Sequence, residues 1–121
     1  MMKRFMLKGK IHGAHITRTR LDYDGSITVD RKVLDAAGIV PFEMVHVLNL
    51  NNGQRAETYA IEGKPGSGAM ELNGPAARLG EIGDEIVVLA YALYEEGENA
   101  TIRVARLKGK NRVKVVKVHT S

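Results

Sequence analysis

A chain of 121 residues has room for one ordinary domain and little more. Its apolar fraction of 44% is enough for one packed core, which aliphatic side chains must fill because aromatics make up 5% and tryptophan is absent. The formal net charge is +4 and there is no cysteine, so disulfides, thiol nucleophiles and thiolate metal sites drop out together.

The first seven residues meet Lys8 before a long apolar run develops. That is too short for a signal-peptide core or a membrane span, so a cytoplasmic protein with no membrane partner is expected. Residues 6–19, where Ile11 and Ile16 punctuate polar alternations, predict one or two strands. His12 and His15 are three apart; a regular strand turns them to opposite faces, and no acid accompanies them at ligand spacing, so no metal site is expected. Residues 27–29 predict a short strand leading into Asp30, a good N-cap for a helix over 31–37 that Gly38 closes. Pro41 starts a turn into a strand over 44–50. Asn52-Gly53 then signals a hairpin, and the chain returns over 54–61. On that return strand Arg55 and Tyr59 share a face while Thr58 points the other way.

Residues 63–68 are glycine-rich but lack the context of a phosphate loop, and predict a surface turn. A second helical turn is predicted over 75–79. The apolar run 86–94 predicts a strand buried on both faces. From Arg103 to Lys117 there are seven basic residues and no acid, alternating with valines and a leucine and turning back at 108–111. The solvated face of a hairpin is the simpler reading; a nucleic-acid surface is the rival, weakened by the scarcity of aromatics for base stacking. Many short strands with little helix predict a mainly β fold, a barrel or a sandwich, and a closed barrel hides edge strands. Asp22, Asp24 and Glu57 could serve as carboxylate bases, but nothing in the sequence pairs them.

Four motifs are more specific: Lys10-Ile11-His12, Tyr23-Asp24-Gly25-Ser26, Arg55-Ala56-Glu57-Thr58-Tyr59-Ala60, and Asn73-Gly74-Pro75-Ala76-Ala77. Leu34-Asp35-Ala36-Ala37-Gly38-Ile39 and Asn52-Gly53 lie between them. A Gly-Ser pair alone carries nothing, as Gly66-Ser67 shows. The ordered set resembles the L-aspartate alpha-decarboxylase family from about residue 6 to residue 94, and more loosely beyond.

The resemblance implies a six-stranded double-psi β-barrel with short helices, assembled as a homotetramer with sites between adjacent subunits. It implies one domain, 1–121, that cuts itself between Gly25 and Ser26 into 1–25 and 26–121. Ser26 Oγ would attack the Gly25 carbonyl, which calls for a strained, accessible peptide bond that glycine tolerates. Thr58 is nominated for this processing step. Elimination and hydrolysis, with loss of ammonia, would leave a covalent pyruvoyl cofactor at position 26. That group would take the α-amine of L-aspartate as a Schiff base and accept electrons as carbon dioxide leaves, giving β-alanine for pantothenate and coenzyme A. Tyr59 is the implied proton donor, since a phenol carries its proton at neutral pH.

Arg55 would grip a substrate carboxylate with two parallel hydrogen bonds, and Lys10 is a second cation at the site. Asn73, Gly74, Pro75 and Ala76 match the substrate-contact stretch, with His12 and Tyr23 in support. Pro75 stands where the family usually has alanine; it has no N–H to donate, so such a contact falls to Gly74 or Ala76. A relative that keeps the barrel but never matures, and a need for a maturation helper, both stay open.

Overall fold

The structure is a computed structural model and describes residues 2–121. Among the described residues nine strands form one sheet: β1 (Lys3–His15), β2 (Arg18–Arg20), β3 (Ser26–Asp30), β4 (Met44–Asn49), β5 (Arg55–Gly63), β6 (Met70–Asn73), β7 (Glu85–Glu95), β8 (Thr101–Lys108) and β9 (Arg112–Thr120). One α-helix, α1 (Arg31–Ala37), and one 3-10 helix (Gly74–Leu79) interrupt them. The expected mainly β class is what the chain adopts.

The strand order is β2-β6-β3-β5-β4-β7-β1-β8-β9. Only Ile16 and Thr17 separate β1 from β2, yet the two stand six strand spacings apart in that order. In a flat sheet that gap is about 29 Å at roughly 4.8 Å per strand, whereas the link spans at most about 10 Å. The sheet therefore rolls up, as a small β-barrel requires. Thr17 seals the approach: its N–H donates to the Met70 carbonyl at 2.9 Å and its Oγ1 accepts from Met70 N–H at 3.0 Å. Inside the roll lie Ile11, Ile27, Val29, Val47, Leu72 and Val88, among others, all buried.

The helix forms as its sequence dictates. Asp30 caps it by accepting from Lys32 N–H, and Gly38 ends it in the left-handed region at φ 69°. The Asp30 carboxylate also accepts from Gly66 N–H at 3.0 Å and Gly68 N–H at 2.9 Å. The glycine-rich stretch is thus more than a surface turn, because its far end is buried against Asp30.

Three other expectations change. A register shift in β1 between Ile11 and Ala14, with Gly13 at φ 82°, is a bulge: His12 and Gly13 together stand opposite one residue of β7. The alternation restarts there, so Ile11 and Ala14 both face the core and His15 falls on the same side as His12. Second, β7 is buried on both faces only over Ile86, Val87 and Val88, while Leu93 is 57% exposed. Third, rolling does not hide every edge: β8 and β9 form the expected antiparallel hairpin, but β9 ends the sheet order and is largely exposed. Its lysines and arginine suit a free edge. Arg103 is not purely solvated either, since its Nε donates to the Ala36 carbonyl at 3.2 Å.

The β8–β9 turn is tied down by Asn111, which is 2% exposed with φ 57°. Its Oδ1 accepts from His15 N–H at 2.8 Å, and its Nδ2 donates to the carbonyls of His15 and Gly68, both at 2.9 Å. Replacing Asn111 by alanine should cost roughly 2–3 kcal/mol, because three hydrogen bonds disappear from a buried place. Urea denaturation checks this; an unchanged midpoint would show that the turn is held by something else.

Candidate active site

Register across three strands builds the site. Arg20 of β2 pairs with Asn73 of β6, and Asn73 pairs with Ser26 of β3. Ile27 of β3 faces the core opposite Leu72 and Ala60, so Ser26, Thr28 and Asn73 lie on the outer face. Ser26 is nevertheless fully buried. Its Oγ donates to the Asp24 carbonyl at 3.0 Å and accepts from Asn73 Nδ2, also at 3.0 Å. The same Nδ2 reaches Thr28 Oγ1 at 2.9 Å, whereas Asn73 Oδ1 is buried without a partner. An amide with one end used twice and the other idle leaves an acceptor beside Ser26.

The segment before Ser26 is held from behind by Gly74. This residue adopts φ 64°, and a Cβ on it would come within 2.7 Å of the Tyr23 carbonyl oxygen and 2.8 Å of Gly25 Cα and N. Gly25 itself is not among the glycines with positive φ, and a Cβ there would meet only Pro75 Cδ at 3.5 Å. At the Gly25–Ser26 bond, Gly25 is half-buried without a left-handed φ, whereas Ser26 is buried. The left-handed conformation sits at Gly74, and Ser26 is buried beside Asn73 of β6.

Ser26 opens onto a cavity of about 350 Å³ that it shares with Tyr23, Asp24, Phe42, Tyr59 and Glu62, among others. Glu62 is neutralised at 2.7 Å by Arg31, whose guanidinium also holds Asp35 at 2.9 Å. The Glu62 hydrogen bond, and after it that of Asp35, push the Arg31 pKa above its ordinary value. Arg20 stacks its guanidinium over the Tyr23 ring, 4.6 Å from the centroid. This places a cation beside the cavity.

The sequence-predicted residues divide into two groups. Ser26, Tyr59 and Tyr23 line one cavity; Gly25, Asn73, Gly74 and Pro75 close around the same point. Ala76 is buried in the 3-10 helix. Lys10, His12, Arg55 and Thr58 do not line this cavity. Lys10 is linked by register through Leu89 and His46 to Glu57, so it shares the outer face with Arg55 and Tyr59 at a distance. Thr58 pairs with the buried Val45 and, as expected for a regular strand, faces away from Tyr59. His12 has its Nδ1 buried and unpartnered. Among the described residues there is no group of three or more His, Asp or Glu able to hold a metal ion, and no helix long and apolar enough to cross a membrane.

Sequence reasoning passed over Arg20 and Phe42. Arg20 stands three residues before Tyr23 and could have been noticed only with the β2–β6 register in hand. Phe42 follows Pro41, and its side chain had no periodic context to mark it.

A family model described as aspartate decarboxylase matches residues 2–114. The chain is 58% identical over 93 residues to the aspartate 1-decarboxylase of Carboxydothermus hydrogenoformans, covering 77% of this chain and 73% of that one. It is 46% identical over 110 residues to the aspartate 1-decarboxylase of Kosmotoga olearia, covering 91% and 96%. Against aspartate 1-decarboxylase 2 of Gloeobacter violaceus the identity is 52% over 122 aligned positions, covering 99% and 96%.

The Gly74 cradle yields a direct test. Gly74→Ala should destabilise the protein by roughly 2–4 kcal/mol, from the left-handed backbone and the clash combined. Denaturant titration measures it, and wild-type stability would mean that residues 23–25 are not held as described.

Proposed function

The chain belongs to the aspartate decarboxylase family, and from that premise we propose that it converts L-aspartate to β-alanine and carbon dioxide after cutting its own backbone between Gly25 and Ser26. The observation that carries this reading is the Ser26 hydroxyl, buried and held between Asp24 and Asn73 at the floor of a cavity that also contains Tyr59.

Self-cleavage begins with Ser26 Oγ attacking the Gly25 carbonyl carbon, so that the Gly25 acyl group moves from the amide nitrogen to the hydroxyl oxygen. Asn73 Nδ2, already on Oγ at 3.0 Å, supports a role for Asn73 in this step beside that of Thr58. Loss of the Ser26 Cα proton with rupture of the Ser26 Cβ–Oγ bond forms a Cα=Cβ double bond and releases residues 1–25 with a terminal carboxylate. Hydrolysis of the remaining unsaturated residue expels ammonia and leaves a pyruvoyl group on 26–121.

The residues present fit such a group: the Asn73 side-chain amide lies against residue 26 with an unpartnered acceptor at its other end, and open volume lies in front of it. Once formed, the pyruvoyl group supplies an electron sink that takes the substrate's amine and receives the electron pair freed as carbon dioxide departs. Asn73 Oδ1, the idle acceptor, suits the substrate's nitrogen. Tyr59 carries the proton to be returned to the α-carbon. Arg55 and Lys10 are the cations for the carboxylate that stays.

Within one chain those two cations share Tyr59's face but do not line its cavity. That separation, with the exposed Phe5, Met44 and Leu93 close by, supports a homotetramer whose sites lie between adjacent subunits. Parallel pairing of β3 with β5 and of β2 with β6 supports the double-psi form of the barrel. A cytoplasmic enzyme completes the reading.

Ser26→Ala should remain one uncut chain and make no β-alanine; a cut or active variant would contradict the mechanism. Tyr59→Phe should still cut itself while kcat falls about 100-fold. Normal turnover in that variant would remove Tyr59 from the donor's role.

A further inference from the structure

The turn entering β4 carries a residue that its backbone does not suit. Glu43 N–H donates to the Val40 carbonyl at 3.1 Å, Pro41 takes the second position and Phe42 the third, with φ 72°. This is the pattern of a type II turn, whose third position normally holds glycine or asparagine. Among the described residues only Phe42 and Asn111 have positive φ without being glycine, and asparagine tolerates it far better. Burial gives no reason for the phenylalanine, which is 76% exposed.

The surroundings hold this turn firmly. Phe42 N–H donates to the Ala60 carbonyl at 2.6 Å, and Ala60 N–H donates to the Glu43 carbonyl at 3.0 Å, which fastens the turn to β5. Glu43 Oε1 accepts from Val40 N–H at 3.1 Å, and both carboxylate oxygens receive Lys8 Nζ at 2.8 Å. Lys8 falls at the register shift between Leu7 and Gly9 of β1, the kind of irregularity that re-aims a side chain. The braced ring faces Tyr59: their centroids are 6.1 Å apart with planes at 25°, an offset stack. Both rings line the Ser26 cavity.

We infer that Phe42 is a positioning residue for Tyr59: its ring fixes the plane of the phenol against the Ser26 cavity. The braced turn keeps an unfavourable backbone for that purpose, as functional sites do. The inference rests on the proposed role of Tyr59. A phenol ring has broad freedom about its second torsion, and proton transfer needs its oxygen within hydrogen-bond reach of the acceptor.

Phe42→Asn suits the turn and removes the ring; Phe42→Tyr keeps the ring. In full-length, self-cleaved protein, Phe42→Asn should raise the thermal midpoint by roughly 3 °C. Its kcat should fall about tenfold with KM within about twofold, and Phe42→Tyr should recover kcat to within about twofold. A second measurement needs no turnover. The near-ultraviolet circular dichroism of Tyr59, taken as wild type minus Tyr59→Phe, should vanish when the same difference is taken in the Phe42→Asn background. If the wild type fails to decarboxylate aspartate, the proposed function fails, and the dichroism still decides whether Phe42 fixes Tyr59. Unchanged kcat in Phe42→Asn, or a surviving Tyr59 signal, overturns the inference. So does a changed oligomeric state by sedimentation, which would make Phe42 an interface anchor. Should Phe42→Asn not fold, Phe42→Leu must show the same loss of dichroism.

Discussion

The pairing of β3 with β6 is the constraint on which the site depends. Ser26 opposite Asn73 puts a side-chain amide on the serine hydroxyl, and Thr28 gives that amide a second acceptor. A slip of one residue would turn Asn73 toward the core and Leu72 toward the outer face. Such a slip is opposed by the inner row, where Ile27 meets Leu72 and Val29 meets Met70, all four buried. The apolar residues thus set the polar geometry without touching it. Gly74 completes the arrangement by letting the backbone of residues 23–25 lie against its own.

Much of the local structure was legible because local chemistry decided it. The cap at Asp30, the stop at Gly38 and the hairpin at Asn52-Gly53 need no tertiary information, and each appears where the sequence puts it. The bulge at Gly13 was not legible. Period-two reasoning assumes regular pairing, and a single left-handed glycine reverses the faces of all that follows. The roles of Asn111 and of the Asp30 carboxylate as long-range ties were equally hidden, since their partners lie up to 96 residues away.

The candidate site was legible as motifs and hardly at all as geometry. Nothing in Tyr23-Asp24-Gly25-Ser26 says that the serine is buried, or that the special backbone angle belongs to Gly74 rather than to Gly25. Phe42 escaped notice for a related reason: its turn would be better served by asparagine, and what its side chain meets is the Tyr59 ring on β5. Where local preference and the observed residue disagree, function is the place to look.

Under the proposed function Ser26 loses its hydroxyl oxygen to the carboxylate of residues 1–25 and is left as a pyruvoyl group. Intact-mass spectrometry of the purified protein tests this most directly. Two species are expected: residues 1–25, and a 26–121 fragment lighter by one ammonia than a chain beginning with serine. A single uncut mass, or a 26–121 fragment that retains its serine, would contradict it.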